Sequence, residues 1–192
     1  MRRCGVSVWY FAYGANMATD VIVGRRGLKV LESRAGRAVG WRVGFVERGL
    51  PLVEPAFAGL VSDEVMEART DEAREALERT TTDAWGVLHR VSESDLRRLD
   101  RFEGPGYLRR AVAVRDREGH EVEAQAYTSP RPIAGRAPSR RYRDLLLHGA
   151  HEHALPASHL AWLNGHPTRY VPGLAETLEL VVLAAERLRR RR

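Results

Sequence analysis

The sequence predicts an α+β fold, a single domain built on a small, mostly antiparallel β-barrel-like sheet with flanking helices. Two observations predict it: strand-like segments dominate the first 128 residues, and the longest helical patterns come after them. A chain of 192 residues is long enough for one domain with a hydrophobic core. We therefore expect one domain over residues 1–186, followed by an arginine-rich tail at 187–192.

Five segments have the composition of strands, because they are rich in aromatic and β-branched residues. They are residues 6–13, 41–47, 84–91, 108–115 and 121–128. A short polar turn around Gly119 separates the last two, which indicates a β-hairpin.

Helical patterns follow or separate these strands. Residues 63–79 are charged and lack helix breakers, and residues 139–154 and 174–190 repeat apolar side chains at helical spacing. A further helix is predicted to begin at Ser92, which has the pattern of a capping residue, and to end at Gly104.

Charge and composition exclude several classes of protein. The formal net charge is +6, but five of the arginines lie in residues 187–192, which leaves +1 for residues 1–186. This nearly neutral body argues against nucleic acid as a partner. No apolar run approaches the ~20 residues that span a bilayer, and Cys4, the only cysteine, cannot form an intrachain disulfide. We expect a cytoplasmic protein that binds neither nucleic acid nor membrane, and we leave a homodimer open.

The first candidate site is the turn formed by Tyr13, Gly14, Ala15 and Asn16, where the first strand is predicted to lead into a helix over residues 17–25. Asn16 is a favourable N-cap, and Gly14 allows a ligand to approach the main chain closely. The free N–H groups at a helix start attract an anion or a developing oxyanion. An ordinary strand-to-helix connection has the same pattern, so this segment alone decides nothing.

The second candidate is Glu103, in the last turn of the helix predicted to begin at Ser92. A carboxylate is disfavoured there by the helix dipole, and Asp100 adds a second negative charge. Both effects would raise the pKa of Glu103 towards the range that suits a general acid/base catalyst. The alternative is a surface ion pair between Glu103 and one of three nearby arginines, Arg101, Arg109 or Arg110.

Four segments, taken together and in order, resemble the γ-glutamylcyclotransferase family. They are YFAYGANM at 10–17, AWGVLHRV at 84–91, LDRFEGPGYLRR at 99–110 and PSRRYRDLLLHGAHEHALP at 138–156. The resemblance spans most of residues 8–163. It implies a small barrel-like mixed α/β fold and an enzyme that uses neither a metal nor an organic cofactor.

The resemblance also implies a reaction and a catalytic residue. Such an enzyme closes a γ-glutamyl group into 5-oxoproline and releases the amine that was bound to it. Glu103 matches the motif glutamate, which would take a proton from the α-ammonium group and later give one to the leaving nitrogen. The leaving group can be an amino acid or another amine, and this choice stays open.

The same resemblance implies the residues that bind the substrate. The turn from Tyr13 to Asn16 would hold the glutamyl end, through the main chain of Gly14, Ala15 and Asn16. Tyr107 and Tyr142 match tyrosines that line the family's pocket. Ala15 replaces the serine that is usual in the first motif, so a non-catalytic protein that binds γ-glutamyl ligands is an alternative.

Two further features, a group of histidines and the arginine tail, allow alternative interpretations that the sequence supports less well. His148, His151 and His153 lie close in sequence, but we interpret them as solvated or helix-capping residues and predict no metal site. A protein that binds acidic partners through the arginine tail is the third functional alternative, and the nearly neutral body argues against it.

Overall fold

The computed structural model describes residues 6–50, 53–67, 80–81, 83–104, 106–133 and 136–169. The strands in these ranges are β1 (Ser7–Ala12), β2 (Glu32–Ala38), β3 (Trp41–Leu50), β4 (Glu54–Ser62), β5 (Ala84–Ser92), β6 (Leu108–Asp116) and β7 (Glu121–Thr128). The helices are α1 (Asp63–Glu67), α2 (Glu93–Leu99), α3 (Arg140–Glu152) and α4 (Ala157–Gly165).

Five of the strands close into a barrel, in the order β1–β5–β2–β6–β7. Neighbouring strands are antiparallel, except that β1 and β7 pair in parallel where Tyr10 meets Gln125. Strands β3 and β4 form a separate antiparallel pair whose register shifts between Gly44 and Glu47. The predicted α+β class with a mostly antiparallel, barrel-like sheet is confirmed.

Side chains from the barrel strands fill one main core. Phe11 on β1, Leu88 on β5 and Val114 on β6 are fully buried in it. Close packing of such side chains, together with removal of their apolar surface from water, is the main favourable term in folding. The core lies on the inner side of β1 and β5, so the loops that leave these two strands start from rigid positions.

Two strands were not predicted from the sequence. The β2 segment, ESRAGRA, contains charged and small residues instead of the β-branched residues typical of strands, and β4 begins with glutamate and proline. Hydrogen bonds to neighbouring strands stabilise β2 despite its low strand propensity, because β2 lies between β5 and β6 and bonds to both. Tertiary context has overridden local propensity in these two segments.

The predicted helix over residues 17–25 is wrong. The chain instead forms a 3₁₀ turn at Ala15–Met17 and then a π-helical segment at Asp20–Arg25. Asn16 is therefore not an N-cap, and Gly14 occupies that position. A regular α-helix would direct the Asn16 side chain towards its own backbone, whereas here it is buried and contacts side chains from elsewhere in the fold.

The helix after β5 is shorter than predicted. Ser92 is its N-cap, and its Oγ accepts a hydrogen bond from the Asp95 amide at 3.0 Å, as the capping-box pattern predicts. However, α2 ends at Leu99 and Asp100 is its C-cap. Glu103 therefore lies beyond the helix, in the following turn, and not in its last turn.

The later helices agree in part with the sequence. Ser139 caps α3 by accepting a bond from the Tyr142 amide at 3.0 Å, close to the predicted start of that helix. Helix α4 was not predicted. Of the helix expected at 63–79, only α1 falls in the described ranges, and the helix expected at 174–190 and the arginine tail lie outside them. None of the described helices is long and apolar enough to cross a membrane.

Candidate active site

A cavity of about 640 Å³ opens between the turn that follows β1, the loop that follows α2, and the strands β3 and β4. The first turn of α3 contributes another part of its wall. The cavity contains every residue that the sequence analysis proposed for the site: Tyr13, Gly14, Ala15, Asn16, Glu103, Tyr107 and Tyr142. Segments separated by more than a hundred residues thus meet at one concave surface.

The turn after β1 lines this cavity, and the Ala15 amide bonds to the Tyr142 hydroxyl there. The amides of Met17 and Ala18 bond to the carbonyls of Gly14 and Ala15 and close the 3₁₀ turn. In the described part of the chain, the amides of Ala15 and Asn16 bond to no main-chain carbonyl. The first N–H groups of a helical turn lack internal partners for geometric reasons and can bind an anion.

Asn16 connects this turn to the catalytic candidate. Its Nδ2 donates to the Tyr10 hydroxyl at 3.0 Å and lies 3.4 Å from Oε1 of Glu103. Its Oδ1 accepts a bond from Nε of Arg26 at 3.4 Å. Asn16 therefore orients Glu103 and is itself held on both sides of its amide group.

Burial raises the pKa of Glu103 from its usual value to about 7. The nearby Arg26 guanidinium and the Asn16 hydrogen bond oppose this shift, and the Asp100 carboxylate adds to it. The increase expected from the sequence is thus present, but its main cause is desolvation and not the helix end. A carboxyl group with a pKa near 7 can both accept and donate a proton at neutral pH.

The alternative of a surface ion pair at Glu103 is wrong. In the described ranges, none of the three arginines named in the sequence analysis pairs with Glu103. Arg109 instead contacts Asp100, with Nε 3.4 Å from Oδ1. Asp100 also accepts a hydrogen bond from the Tyr127 hydroxyl at 2.8 Å, so its position beside Glu103 is held from two sides.

Two cavity tyrosines are held by the main chain of one residue on β4. The Tyr107 hydroxyl donates to the Ala58 carbonyl at 2.7 Å, and the Tyr142 hydroxyl accepts from the Ala58 amide at 3.3 Å. Tyr13 donates to the carbonyl of Tyr127 at 2.5 Å. Burial raises the pKa of all three hydroxyls above the usual value, and the Glu103 carboxyl adds to each shift, so they stay protonated at neutral pH.

A buried carboxylate fixes the start of α3, and with it Tyr142. Glu54 accepts bonds from both the amide (2.7 Å) and the hydroxyl of Ser139, and Arg141 lies 3.8 Å from its Oε2. Sequence analysis missed this contact and the roles of Tyr10, Arg26 and Tyr127. The contacts of Glu54 and Tyr127 join segments that are distant in the chain, and those of Tyr10 and Arg26 with Asn16 depend on the irregular turn after β1, which the sequence analysis predicted as a regular helix.

The histidines considered as a metal cluster do not come together. In the described ranges His148, His151 and His153 form no group of ligand atoms, and His153 packs edge-on against His89 at 5.6 Å. A different group, Asp116, Glu118 and His120, lies within 4.8 Å at the β6–β7 hairpin, away from the cavity. There the Asp116 carboxylate already contacts Arg34 and the main chain of the hairpin turn, so we assign no ion to it.

Comparison with known proteins shows which family the chain resembles. The model of the AIG2-like family matches residues 83–163, which include Glu103, Tyr107 and Tyr142. The chain is 28% identical over 186 residues to a γ-glutamylcyclotransferase of Bos taurus, a match that covers 95% of this chain and 91% of that protein. The chain is similar to the γ-glutamylcyclotransferase/AIG2-like family. A γ-glutamyl cyclotransferase of Aspergillus oryzae is 27% identical, and the match covers 86% of this chain and 63% of that protein.

Solved structures agree on the fold of this family. A γ-glutamyl cyclotransferase superposes with a TM-score of 0.69 at 23% identity, covering 88% of this chain and 92% of the other. An uncharacterized protein of Homo sapiens superposes with the same TM-score and identity, covering 92% of this chain and 98% of that one. The barrel and its flanking helices are therefore shared with these two structures.

Proposed function

We propose that the protein is a γ-glutamyl cyclotransferase that converts a γ-glutamyl amino acid or γ-glutamyl amine to 5-oxoproline and a free amine. One observation carries the proposal: a partly buried carboxyl group with a pKa near 7, Glu103, shares a cavity with the amides of Ala15 and Asn16, which bond to no main-chain carbonyl in the described ranges. This combination fits a reaction that needs one proton carrier and stabilisation of one oxyanion. The names of the relatives support the same reaction class.

In the proposed reaction the substrate attacks itself. Ionised Glu103 accepts a proton from the α-ammonium group, and the freed nitrogen forms a bond to the γ-carbonyl carbon. The attacking nitrogen loses a second proton once the bond has formed, and the bond from the γ-carbon to the leaving nitrogen breaks. The leaving nitrogen takes up both protons, carried one after the other by Glu103, so the amine is released as an ammonium ion. Atoms and charges balance without any co-reactant. Holding both reacting groups of one molecule in a ring-closing pose supplies much of the rate enhancement.

The other cavity residues are assigned to binding. The amides of Ala15 and Asn16 would hold the glutamyl end or the oxyanion that develops on the γ-carbonyl oxygen. Tyr107 and Tyr142 would form a wall that presents apolar ring surface and protonated hydroxyls. Because these hydroxyls have raised pKa values, they would stay protonated and would not act as bases. The Tyr142 hydroxyl could donate to a ligand, whereas the Tyr107 hydroxyl donates to Ala58 and could accept a bond from one.

The decisive experiment incubates the purified protein with a panel of γ-glutamyl amino acids and γ-glutamyl amines and detects 5-oxoproline by mass spectrometry. The Glu103→Gln variant is the test, and Glu118→Gln, an exposed position on the β6–β7 hairpin, is the matched control. We expect release of 5-oxoproline by the wild type and the control but not by Glu103→Gln. Binding of a γ-glutamyl compound by the wild type without turnover would instead identify the non-catalytic alternative.

A further inference from the structure

A buried histidine lies directly behind the turn that carries Asn16. His89 is on β5, its side chain is fully buried, and it does not line the cavity. Its Nε2 is 3.1 Å from the Asn16 carbonyl oxygen, and its Nδ1 is 2.8 Å from the Ser33 hydroxyl on β2. Its ring also stacks against Tyr10, with 6.4 Å between the ring centroids.

The partners of His89 determine its tautomer. A main-chain carbonyl can only accept, so Nε2 must carry the hydrogen that bonds to Asn16. In a neutral imidazole Nδ1 is then the acceptor, and the Ser33 hydroxyl must donate to it. Ser33 therefore selects the tautomer of His89 that can hold the Asn16 carbonyl.

His89 acts as a neutral donor. Burial, together with the neighbouring His153, lowers its pKa to about 4, while the Asn16 carbonyl and the Glu152 carboxylate oppose that shift. The ring is therefore uncharged at neutral pH and contributes no electrostatic field at the cavity. Any influence on Glu103 must pass through the position of Asn16.

Asn16 has several groups that need a fixed orientation. Its side-chain amide bonds to Tyr10 and Glu103 on one side and to Arg26 on the other, and the residue lines the cavity. In the described part of the chain, the main-chain carbonyl of Asn16 accepts its hydrogen bond from His89. That carbonyl belongs to the Asn16–Met17 peptide group, so a change in its orientation would turn the Asn16 backbone and move the side-chain amide away from Glu103.

We propose that His89 is a positioning residue, which holds the Asn16 peptide so that the Asn16 side chain reaches Glu103. The chain of contacts runs from Ser33 through His89 and Asn16 to Glu103. The consequence for turnover rests on the proposed function, but the consequence for the ionisation of Glu103 does not. This separation allows the two proposals to fail independently.

The test measures the pKa of Glu103 by carbon NMR of side-chain carboxyl groups, with the Glu103→Gln spectrum used to assign the signal. Because the Asn16 bond favours the ionised carboxylate, its loss should raise the pKa of Glu103 by about one pH unit. We expect this increase in His89→Leu, which keeps bulk but removes both bonds. We expect a value within about 0.3 units of wild type in His89→Gln, whose amide can still donate to the carbonyl.

His159→Leu is the matched control, since His159 is also a buried histidine but lies on α4 and outside the cavity. It should leave the pKa of Glu103 unchanged even if it lowers the melting temperature. An unchanged Glu103 pKa in folded His89→Leu, or an equal shift in His89→Gln, would overturn the proposal. If His89→Leu does not fold, Ser33→Ala replaces it, with a shift in the same direction expected and no shift contradicting the proposal.

Turnover gives the second readout. If the wild type releases 5-oxoproline, the acidic limb of the kcat profile should move with the Glu103 pKa, upwards in His89→Leu and not in His89→Gln. If the wild type releases none from any compound, the proposed function fails, and the NMR measurement still decides the role of His89.

Discussion

Asn16 and Glu103 are 87 positions apart in the chain, yet Nδ2 of one lies 3.4 Å from Oε1 of the other. Asn16 follows the first barrel strand, and Glu103 follows the short helix after β5, the strand that pairs with β1. These two strands are antiparallel, so β5 ends beside the start of β1. Glu103 returns to the end of β1 because it precedes β6, which begins beside the end of β7, and β7 runs parallel to β1. The candidate site depends directly on the barrel topology.

Removing the Glu103 carboxylate should abolish proton transfer while preserving the fold. Glu103→Gln keeps the size of the side chain, so we expect kcat for 5-oxoproline release to fall by about 10² to 10⁴, the usual contribution of a general acid/base. Mass spectrometry and thermal unfolding on the same preparation check this. Turnover at the wild-type level in a folded Glu103→Gln protein would refute the mechanism.

The pH dependence of turnover should follow Glu103. Its pKa is about 7 and the ionised form is the proposed base, so kcat/KM should rise with pH through this region and then level off until another group titrates. Initial rates between pH 5 and 9, in buffers of constant ionic strength, measure the profile. An activity independent of pH across this range would argue against Glu103 as the base.

The contribution of Glu103 to stability should fall with pH, whereas turnover should rise. Burial raises the pKa of Glu103 in the folded state. The contribution of Glu103 to the free energy of unfolding is therefore most favourable below the usual glutamate pKa, and it is lost as pH rises through about 7. Glu103→Gln should therefore be more stable than wild type at pH 8, by roughly 1 to 3 kcal/mol, with little difference near pH 4. Urea unfolding at both pH values checks this sign.

The turn after β1 should tolerate a hydroxyl group at residue 15, but it should not tolerate a side chain at Gly14. A Cβ on Gly14 would lie 3.2 Å from the Tyr142 hydroxyl, and the methyl groups of valine would press further into the cavity. We expect Gly14→Val to lower kcat/KM by at least about a hundredfold, or 2.7 kcal/mol. Ala15→Ser keeps the main-chain donors and should stay within about threefold of wild type. Equal effects of the two substitutions on steady-state kinetics would contradict this assignment.

The arginine tail should be dispensable for turnover, because catalysis on a small ligand needs only the cavity. Deleting residues 188–192 should leave kcat/KM within about threefold, a change on the order of 0.7 kcal/mol. A hundredfold loss in a truncated protein with an unchanged melting temperature would show that the tail takes part in the reaction.

The sequence by itself determined those strands and helices that have a characteristic composition or spacing of residues. Aromatic and β-branched composition located β1, β3, β5, β6 and β7, the capping pattern at Ser92 located the start of α2, and apolar residues at helical spacing located α3. The motifs also selected residues that do line one cavity, since glycine at a tight turn and glutamate before a glycine leave readable patterns. Strand β2 has no such signal, because pairing on both of its edges makes it a strand.

Only the tertiary structure decided how these residues act on one another. The pKa of Glu103 is raised mainly by burial, and burial depends on how loops from distant parts of the chain close over the carboxyl group. Asn16 became a side-chain bridge instead of a helix cap for the same reason, since its partners Tyr10, Arg26 and Glu103 surround it only after the barrel has closed. Desolvation and long-range hydrogen bonds have no local period in a sequence, so residue patterns cannot specify them.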